Sequence, residues 1–159
     1  YFNPIGSHSS ALIGDCSADR PSNLVPIITE VAIGKREKVT VFGNDYNTPD
    51  GTCIRDYIHV VDLAKSHVLA IKFLVKKRGK HVFNVGTGFG ISVLDAIKTF
   101  EKTNNLSISY CIGSRRSGDI EQIYANGNLI RNKLDWEPLE TLDKAMKSAW
   151  DWEKRKVNV

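Results

Sequence analysis

Residues 38–77 decide the fold: KVTVFGNDYNTPDGTCIRDYIHVVDLAKSHVLAIKFLVKK. The stretch begins with a short β-branched run at 38–43 and continues through a loop at 44–52 that is dense in turn-forming residues. A second run at 54–60 alternates like a short strand, and a long segment with helical spacing follows it. Because strands alternate with helices, the stretch predicts an α/β fold with some parallel pairing.

The helix in this stretch is predicted to have Asp62 as its cap and to extend over 63–77. Its apolar residues recur at intervals typical of a helix face that packs into a core. These residues are Ala64, Val68, Ile71 and Val75, with Leu63, Ala70 and Leu74 beside them. His67 lies on the same stripe and is predicted to be packed. Neither His67 nor His59 has the sequence neighbours expected of a catalytic base or a metal ligand.

The rest of the chain continues the alternation of strands and helices. The predicted elements are the end of a strand at 1–6, a loop at 7–22, a helix at 23–35 that stops at Gly34, a strand at 81–86, a helix opened by Ser92, a strand at 107–113, and helices near 127–135 and 141–155. The first residue is Tyr1, and apolar residues begin at once, as though a strand had been cut. These residues leave open whether the chain is a whole protein or the back half of a longer one.

Composition and charge exclude several functional classes. No apolar run among the 159 residues reaches the roughly 18 residues of a membrane span. The three cysteines are far apart, which argues against a zinc site or a disulfide framework and favours a cytoplasmic protein. The net charge of +4 favours an anionic ligand only weakly. Because the basic clusters fall at predicted helix ends, we expect no nucleic-acid partner and no membrane partner.

A glycine-rich loop follows the predicted strand at 81–86, with glycines at positions 86, 88 and 90 before a helix. This is the setting of a dinucleotide fingerprint, in which the backbone approaches a pyrophosphate. The third glycine of such a fingerprint would fall at position 91, which is Ile91. No acidic residue ends the next strand. We therefore predict a tight turn capped by Ser92 and no dinucleotide site.

The sequence also lacks the paired residues of a short-chain redox centre. Such a centre needs Tyr-x-x-x-Lys on a helix, because the lysine lowers the pKa of the phenol so that its oxygen can take a proton. None of the five tyrosines is followed by lysine at the fourth position. No catalytic residue is therefore assigned to this chain.

Charged side chains follow two of the predicted strands. Arg55 lies in the 54–60 run, and Arg115, Arg116 and Asp119 come after the 107–113 strand. Loops after strands are where α/β proteins place ligands, and a guanidinium grips a phosphate through two parallel hydrogen bonds. Asp119 is suited to accept hydrogen bonds from ribose hydroxyls. The sequence is equally compatible with an Arg55–carboxylate pair and two surface arginines.

The motifs YFNP, SNLVP, VFGNDYNTPDGTCIRDYIHVVDLA, FNVGTG and RRSGD occur in this order over nearly the whole chain. Together they resemble the C-terminal half of the UDP-glucose 4-epimerase family, also called UDP-galactose 4-epimerases, within the extended short-chain dehydrogenases/reductases. The resemblance implies the α/β, substrate-binding part of an NAD(P)-binding Rossmann-type enzyme. Residues 1–159 would form a UDP-sugar-binding domain, 1–6 and 81–86 would add strands to the Rossmann part, and the N-terminal NAD-binding domain would be absent from this chain.

The resemblance also implies a function. Members of this family interconvert UDP-glucose and UDP-galactose by NAD-dependent epimerisation at C4, an isomerase reaction of galactose metabolism. The full-length enzyme would be a cytoplasmic homodimer, whereas this chain alone would be inactive and monomeric. The contacts that the family pattern implies are Arg55 and Arg116 to the diphosphate, Asp119 to a ribose hydroxyl, Thr40 and Phe42 to uracil, Asn3, Asn23 and Leu24 to phosphate or sugar oxygens, Ile123 to the sugar, and Phe2 to NAD.

Two other functions stay open at this stage. A related sugar-nucleotide dehydratase or decarboxylase would share the wider motifs, although the loop before IRDYIHV argues against it. A non-catalytic nucleotide-binding module would use the basic surface and would require the natural chain to be this short.

Overall fold

The computed structural model describes residues 1–16 and 21–157 of the chain. Its helices and strands alternate along most of the sequence. In chain order they are β1 (Asn3–Ile5), α1 (Leu24–Ala32), β2 (Val39–Phe42), β3 (Ile54–Arg55), β4 (Tyr57–His59), α2 (Val60–Lys76), β5 (Ile91–Ser92), α3 (Val93–Asn104), β6 (Tyr110–Gly113), β7 (Gln122–Ile123), α4 (Asn128–Leu134) and α5 (Leu142–Val157).

Within the described residues the strands pair in three small sheets. β1 pairs with β4 and β2 pairs with β6, both in parallel. β3 lies between antiparallel β5 and parallel β7. The predicted α/β fold with parallel pairing is therefore confirmed. The two-residue strands β5 and β7 escaped prediction because so short a segment carries no periodicity.

The predicted strand at 54–60 is divided into β3 and β4, which belong to different sheets. Asp56 lies between them and is fully buried. Its backbone carbonyl accepts a hydrogen bond from the Asn3 N–H at 3.0 Å. The alternating pattern predicts extended backbone correctly, but the chain passes from one sheet to another at this aspartate. Arg55 therefore lies in the sheet of β3, β5 and β7, while Tyr57 lies in the sheet of β1 and β4.

Two apolar clusters form the core. The larger cluster joins α1, α3 and α5 to β2 and includes the fully buried Phe100, Ile28 and Met146. The smaller cluster lies between α2 and α4 and is centred on Ile58 and Ile130. α3 begins where the sequence predicts, because the Ser92 hydroxyl accepts a hydrogen bond from the Asp95 N–H at 3.0 Å.

The prediction that Asp62 caps α2 is wrong. The helix begins three residues earlier, and His59 is its cap, with Nδ1 accepting a hydrogen bond from the Val61 N–H at 3.1 Å. Asp62 is instead buried in the first turn. Its Oδ2 accepts hydrogen bonds from the backbone N–H groups of Leu139 at 2.8 Å and Glu140 at 2.7 Å. The carboxylate thus ties α2 to the segment before α5.

The apolar stripe predicted to bury α2 lies on its exposed side. Val68, Ile71 and Val75 are 52%, 64% and 79% exposed. The helix packs through Leu63 and Ala70, which the pattern placed beside the stripe, together with Leu69 and Phe73. His67 is also exposed, so the prediction that it is packed is wrong. Helices that are apolar on two faces are usually buried on both faces. The face with Val68, Ile71 and Val75 is not covered by the described residues.

The strand predicted at 81–86 is absent from this described part of the chain. The Val85 carbonyl accepts a hydrogen bond from the Phe2 N–H at 3.1 Å, beside β1. Val82, three residues earlier, is 72% exposed. The β-branched sequence therefore reaches the edge of the β1–β4 sheet without forming a ladder there.

The buried cap His59 makes the stability of the fold dependent on pH. Burial lowers the pKa of the imidazole, and the charges of Glu140 and Asp62 oppose this only in part. A histidine whose pKa is lower in the folded state stabilises the fold above its unfolded pKa, about 6.5, and loses that contribution as the pH falls further. We expect the urea midpoint to fall between pH 7.5 and pH 5.5. The fall should be smaller in His59→Asn, whose amide can still cap the helix, and an equal fall in both proteins would contradict this role.

Candidate functional site

A cavity of about 540 Å³ lies where β1, β2, β3 and the start of α1 meet. Most of the residues predicted from the sequence to bind a ligand line it. They are Phe2, Asn3, Asn23, Leu24, Thr40, Phe42, Arg55, Arg116 and Asp119. Ile123 is outside the described lining, although it is paired with Arg55 in the β3–β7 register. Segments far apart in sequence thus bring nine candidate side chains to one cleft.

Arg55 is the most firmly held cation of the cavity. Its Nη1 donates hydrogen bonds to the carbonyl oxygens of Ile120 at 2.6 Å and Ile54 at 2.9 Å. Its Nη2 lies 3.5 Å from Oδ1 of Asp119, and the Arg55 side chain is only 17% exposed. The backbone contacts leave one edge of the guanidinium directed at the carboxylate, so the position of this charge is set by the fold.

Arg116 binds the same carboxylate from within the loop that carries Asp119, between β6 and β7. Its Nη2 donates to Oδ1 of Asp119 at 2.8 Å and its Nε donates to Oδ2 at 3.2 Å. The guanidinium also lies 5.3 Å from the centre of the Phe42 ring. The hydrogen bond that Arg116 donates to Asp119 raises the pKa of the guanidinium, which keeps the cation charged. Because the Arg116 side chain is 58% exposed, it can reach a ligand that enters the cavity.

Arg115 is separated from this group although it is adjacent in sequence. Its Nε donates to Oδ1 of Asp45 at 2.7 Å and its Nη2 donates to the Asp45 carbonyl at 2.6 Å. The guanidinium lies 4.1 Å from the centre of the Tyr46 ring. Arg115 is outside the described lining of the cavity. The loop therefore directs one arginine to the cavity and the other to the surface, in agreement with the weight that the sequence gives to Arg116.

The alternation of β2 supplies one wall of the cavity. Val39 and Val41 are buried in the core, while Thr40 and Phe42 are exposed on the other face of the strand. Asn23 lies at the start of α1, and its side chain makes no capping hydrogen bond within the described chain. The wall thus offers an aromatic ring, a hydroxyl and an uncommitted amide.

The glycine-rich loop is filled by a carboxylate of the chain itself. The Asp56 carboxylate accepts hydrogen bonds from Thr87 Oγ1 at 2.6 Å, from the Thr87 and Gly88 N–H groups at 2.8 and 2.9 Å, and from the Ala125 N–H at 3.0 Å. A Cβ at Gly86 would come within 2.5 Å of Asp56 Oδ2. The loop therefore does surround an anion, but this anion is the side chain of Asp56 and not a bound ligand. The sequence pattern did not indicate this function of Asp56.

The cavity holds few groups suited to acid–base chemistry. Tyr57 lies in its lining, but burial raises the pKa of the phenol far above the neutral range, so it is poorly suited to act as a base. Among the described residues no group of three His, Cys, Asp or Glu side chains is placed to hold a metal ion. The helices that the structure describes include none with the length and apolar character of a membrane span. The site has the character of a binding site for an anionic ligand with an aromatic or polar part.

The family model for GDP-mannose 4,6 dehydratase matches residues 8–149, which is most of the chain. The chain belongs to this family. The UDP-glucose 4-epimerase of Haemophilus influenzae is 49% identical over 154 residues, and that of Homo sapiens is 46% identical over 155. These alignments cover 97% and 98% of this chain and 46% and 44% of the relatives. The chain thus spans about half the length of the curated relatives that it matches.

Solved structures of this family have the same fold. The UDP-glucose 4-epimerase of Stenotrophomonas maltophila, with bound NAD and formylated UDP-arabinopyranose, is 44% identical with a TM-score of 0.97 and covers 99% of this chain and 47% of the other. The enzyme of Bifidobacterium longum, in complex with NAD+ and UDP, is 46% identical with a TM-score of 0.95 and has the same coverage. The match is to the C-terminal portion of these proteins. The resemblance and the fold class inferred from the sequence are confirmed.

Proposed function

We propose that this chain is the UDP-sugar-binding half of an NAD-dependent UDP-glucose 4-epimerase, which interconverts UDP-glucose and UDP-galactose. The single observation that supports this most strongly is the cavity itself, where an arginine of β3 and an arginine of the loop after β6 converge beside an aromatic wall. A guanidinium pair suits a diphosphate, because each group can form two parallel charge-assisted hydrogen bonds. The similarity to epimerases over nearly the whole chain is the second support.

In this proposal the nucleotide end of the substrate is held firmly. Arg55 and Arg116 grip the diphosphate, Asp119 accepts a hydrogen bond from ribose, and the wall of Thr40 and Phe42 receives the uracil. The uncommitted amide of Asn23, together with Leu24 and Asn3, contacts phosphate or sugar oxygens. Ile123 lies outside the described lining of the empty cavity, and its part in limiting the sugar stays a prediction. Binding energy is thus spent far from the reacting carbon, so the hexose is free to turn over between the two halves of the reaction.

The proposed reaction requires a second half of the enzyme. When NAD is bound, it accepts a hydride from C4 and returns one to the opposite face. The described residues of this chain do not form a dinucleotide site, because the glycine-rich loop holds Asp56 and only Phe2 is assigned to the NAD side. The exposed apolar face of α2, with Val68, Ile71 and Val75, supports a partner half that packs there, with 1–6 and 81–86 at the seam. The full-length enzyme would be a cytoplasmic homodimer of galactose metabolism.

A related dehydratase is the second candidate, because the matching family model is described by that activity. The identity of 45–49% to UDP-glucose 4-epimerases favours the epimerase. Under the dehydratase proposal, the same cavity would hold a nucleotide sugar. The enzyme would eliminate water from the sugar and would not interconvert UDP-hexoses. The products formed from UDP-galactose by the full-length polypeptide distinguish the two activities.

The proposal is tested by separating binding from turnover. Calorimetric titration of the 159-residue chain with UDP is expected to show saturable binding. The same chain with added NAD should not convert UDP-galactose to UDP-glucose in a coupled assay, because it has no Tyr-x-x-x-Lys pair. The full-length polypeptide that carries it should catalyse the conversion. Turnover by the pure 159-residue chain would refute the proposal that this half binds the substrate without catalysing the reaction. Absence of UDP binding by both proteins would refute the proposed binding site.

A further inference from the structure

The two arginines of the cavity already share an anion supplied by the chain. Oδ1 of Asp119 lies 2.8 Å from Arg116 Nη2 and 3.5 Å from Arg55 Nη2, and Oδ2 lies 3.2 Å from Arg116 Nε. The Asp119 side chain is 12% exposed, so it faces the arginines and not the bulk solvent. The positions where a phosphate would bind are therefore next to, and partly taken by, a carboxylate.

We propose that Asp119 is a specificity-determining residue that excludes small phosphate anions from the arginine pair and admits phosphates carried by a nucleoside. This inference rests on the proposed UDP-sugar function of the site. A bare phosphate or pyrophosphate must lie beside the carboxylate and gains nothing from it, since like charges repel at this distance. The phosphates of a UDP-sugar meet the same repulsion. Its ribose hydroxyls, however, donate hydrogen bonds to the carboxylate oxygens of Asp119 that are released when an arginine turns to the phosphates.

The local structure keeps the carboxylate in the cavity when a ligand enters. The Asp119 N–H donates to the Arg116 carbonyl at 3.2 Å, closing a turn in which Gly118 has a φ of +84°, a conformation that favours glycine. Arg55 is held by the carbonyl oxygens of Ile120 and Ile54. Arg116 is the exposed member and is able to move. A ligand can therefore draw Arg116 away, while Arg55 and Asp119 keep their places.

The chain contains a matched pair for comparison. Arg115 and Asp45 form an ion pair of 2.7 Å outside the described lining of the cavity. Asp45→Asn therefore removes one carboxylate beside one arginine, as Asp119→Asn does, but leaves the cavity unchanged. A general effect of net charge would appear in both variants, whereas a filter in the cavity would appear only at Asp119.

The experiment is a calorimetric titration of both the 159-residue chain and the full-length polypeptide with pyrophosphate and with UDP. In Asp119→Asn we expect pyrophosphate to bind about tenfold more tightly, because the like-charge repulsion is removed. UDP should keep or lose affinity, because the charged acceptor for ribose is lost, so the preference for UDP over pyrophosphate should fall at least about tenfold. Asp45→Asn should change neither ligand by more than about twofold.

The outcomes separate this inference from the proposed function. The proposed role of Asp119 is refuted if a folded Asp119→Asn protein binds pyrophosphate with unchanged affinity, or if both ligands gain affinity equally. In that case, UDP binding by the wild type would still support the proposed binding site. Failure of the wild type to bind UDP would overturn the proposed function, whatever pyrophosphate does. If Asp119→Asn is unfolded at the assay temperature, the affinities of the wild type provide the test. The wild type should bind pyrophosphate at least about tenfold more weakly than UDP, although pyrophosphate carries the greater charge. Equal affinities for the two ligands would refute the proposed role of Asp119.

Discussion

Asp56→Ala is expected to destabilise the chain by about 4 kcal/mol, because removing one side of a buried, hydrogen-bonded charge leaves its partners unpaired. The carboxylate is fully buried and accepts hydrogen bonds from Thr87, Gly88 and Ala125. A loss of this size is a large part of the roughly 5–15 kcal/mol that stabilises an ordinary domain. Urea denaturation followed by circular dichroism gives the free energy of unfolding directly.

Two further variants make this prediction specific to the internal anion. Asp56→Asn keeps the shape but directs an amide NH₂ at backbone donors, so an intermediate loss of about 2 kcal/mol is expected. Asp95→Asn is the control, because Asp95 is an exposed helix residue whose contact with Lys98 is 3.9 Å long; its effect should stay within about 0.5 kcal/mol. If Asp56→Ala unfolds at the same urea concentration as Asp95→Asn, the carboxylate does not organise the glycine-rich loop.

The same loop shows why part of the site could be predicted and part could not. The sequence pattern correctly indicated that the glycines were a poor dinucleotide fingerprint, since Ile91 stands where the third glycine belongs. It did not indicate which anion the loop holds, because Asp56 is some thirty residues away and its burial is a property of the tertiary fold. The signal that was available in the sequence is an aspartate within the alternating run at 54–60.

Helix α2 shows a second limit of sequence reasoning. Its periodicity predicted a helix correctly, because helical spacing is a local property. The choice of the buried face was wrong, because the helix is apolar on both sides and the sequence does not say which side meets α4 and which meets another partner. The cap was also misassigned: both His59 and Asp62 precede apolar residues, and the tertiary bonds of Asp62 to Leu139 and Glu140 decide between them.

The arginine site was the part of the cavity most accessible from sequence. Arginines after strands were expected at a ligand site, and nine of the ten residues that the resemblance implied line one cavity. Sequence reasoning left open whether Arg55 pairs with a carboxylate or binds a ligand. The structure shows that Arg55 does face Asp119, so the pairing is real, and Arg116 pairs with the same carboxylate. Ligand binding by this pair stays a prediction.

Arg116→Ala is expected to weaken UDP binding about 100-fold, which corresponds to the loss of a charge-assisted contact of about 2.7 kcal/mol. Its guanidinium is the mobile cation of the pair, since Arg55 is fixed by two backbone carbonyls. The Arg116 side chain is 58% exposed, so its removal should leave the thermal melt nearly unchanged. Titration calorimetry with UDP measures the affinity, and the melt of the same sample shows that the loss is not due to unfolding.

Comparison with other arginine variants assigns the loss to the phosphates. Arg116→Lys keeps the charge but loses the bidentate geometry, so its loss should be intermediate, about tenfold. Arg115→Ala removes an equal charge from the adjacent position, and because Arg115 is bonded to Asp45 outside the described lining, its effect should be below about twofold. Uridine, which has no phosphate, should bind wild type and Arg116→Ala equally. If Arg115→Ala weakens UDP binding as much as Arg116→Ala, the contribution is one of net charge and the phosphate contact assigned to Arg116 is wrong.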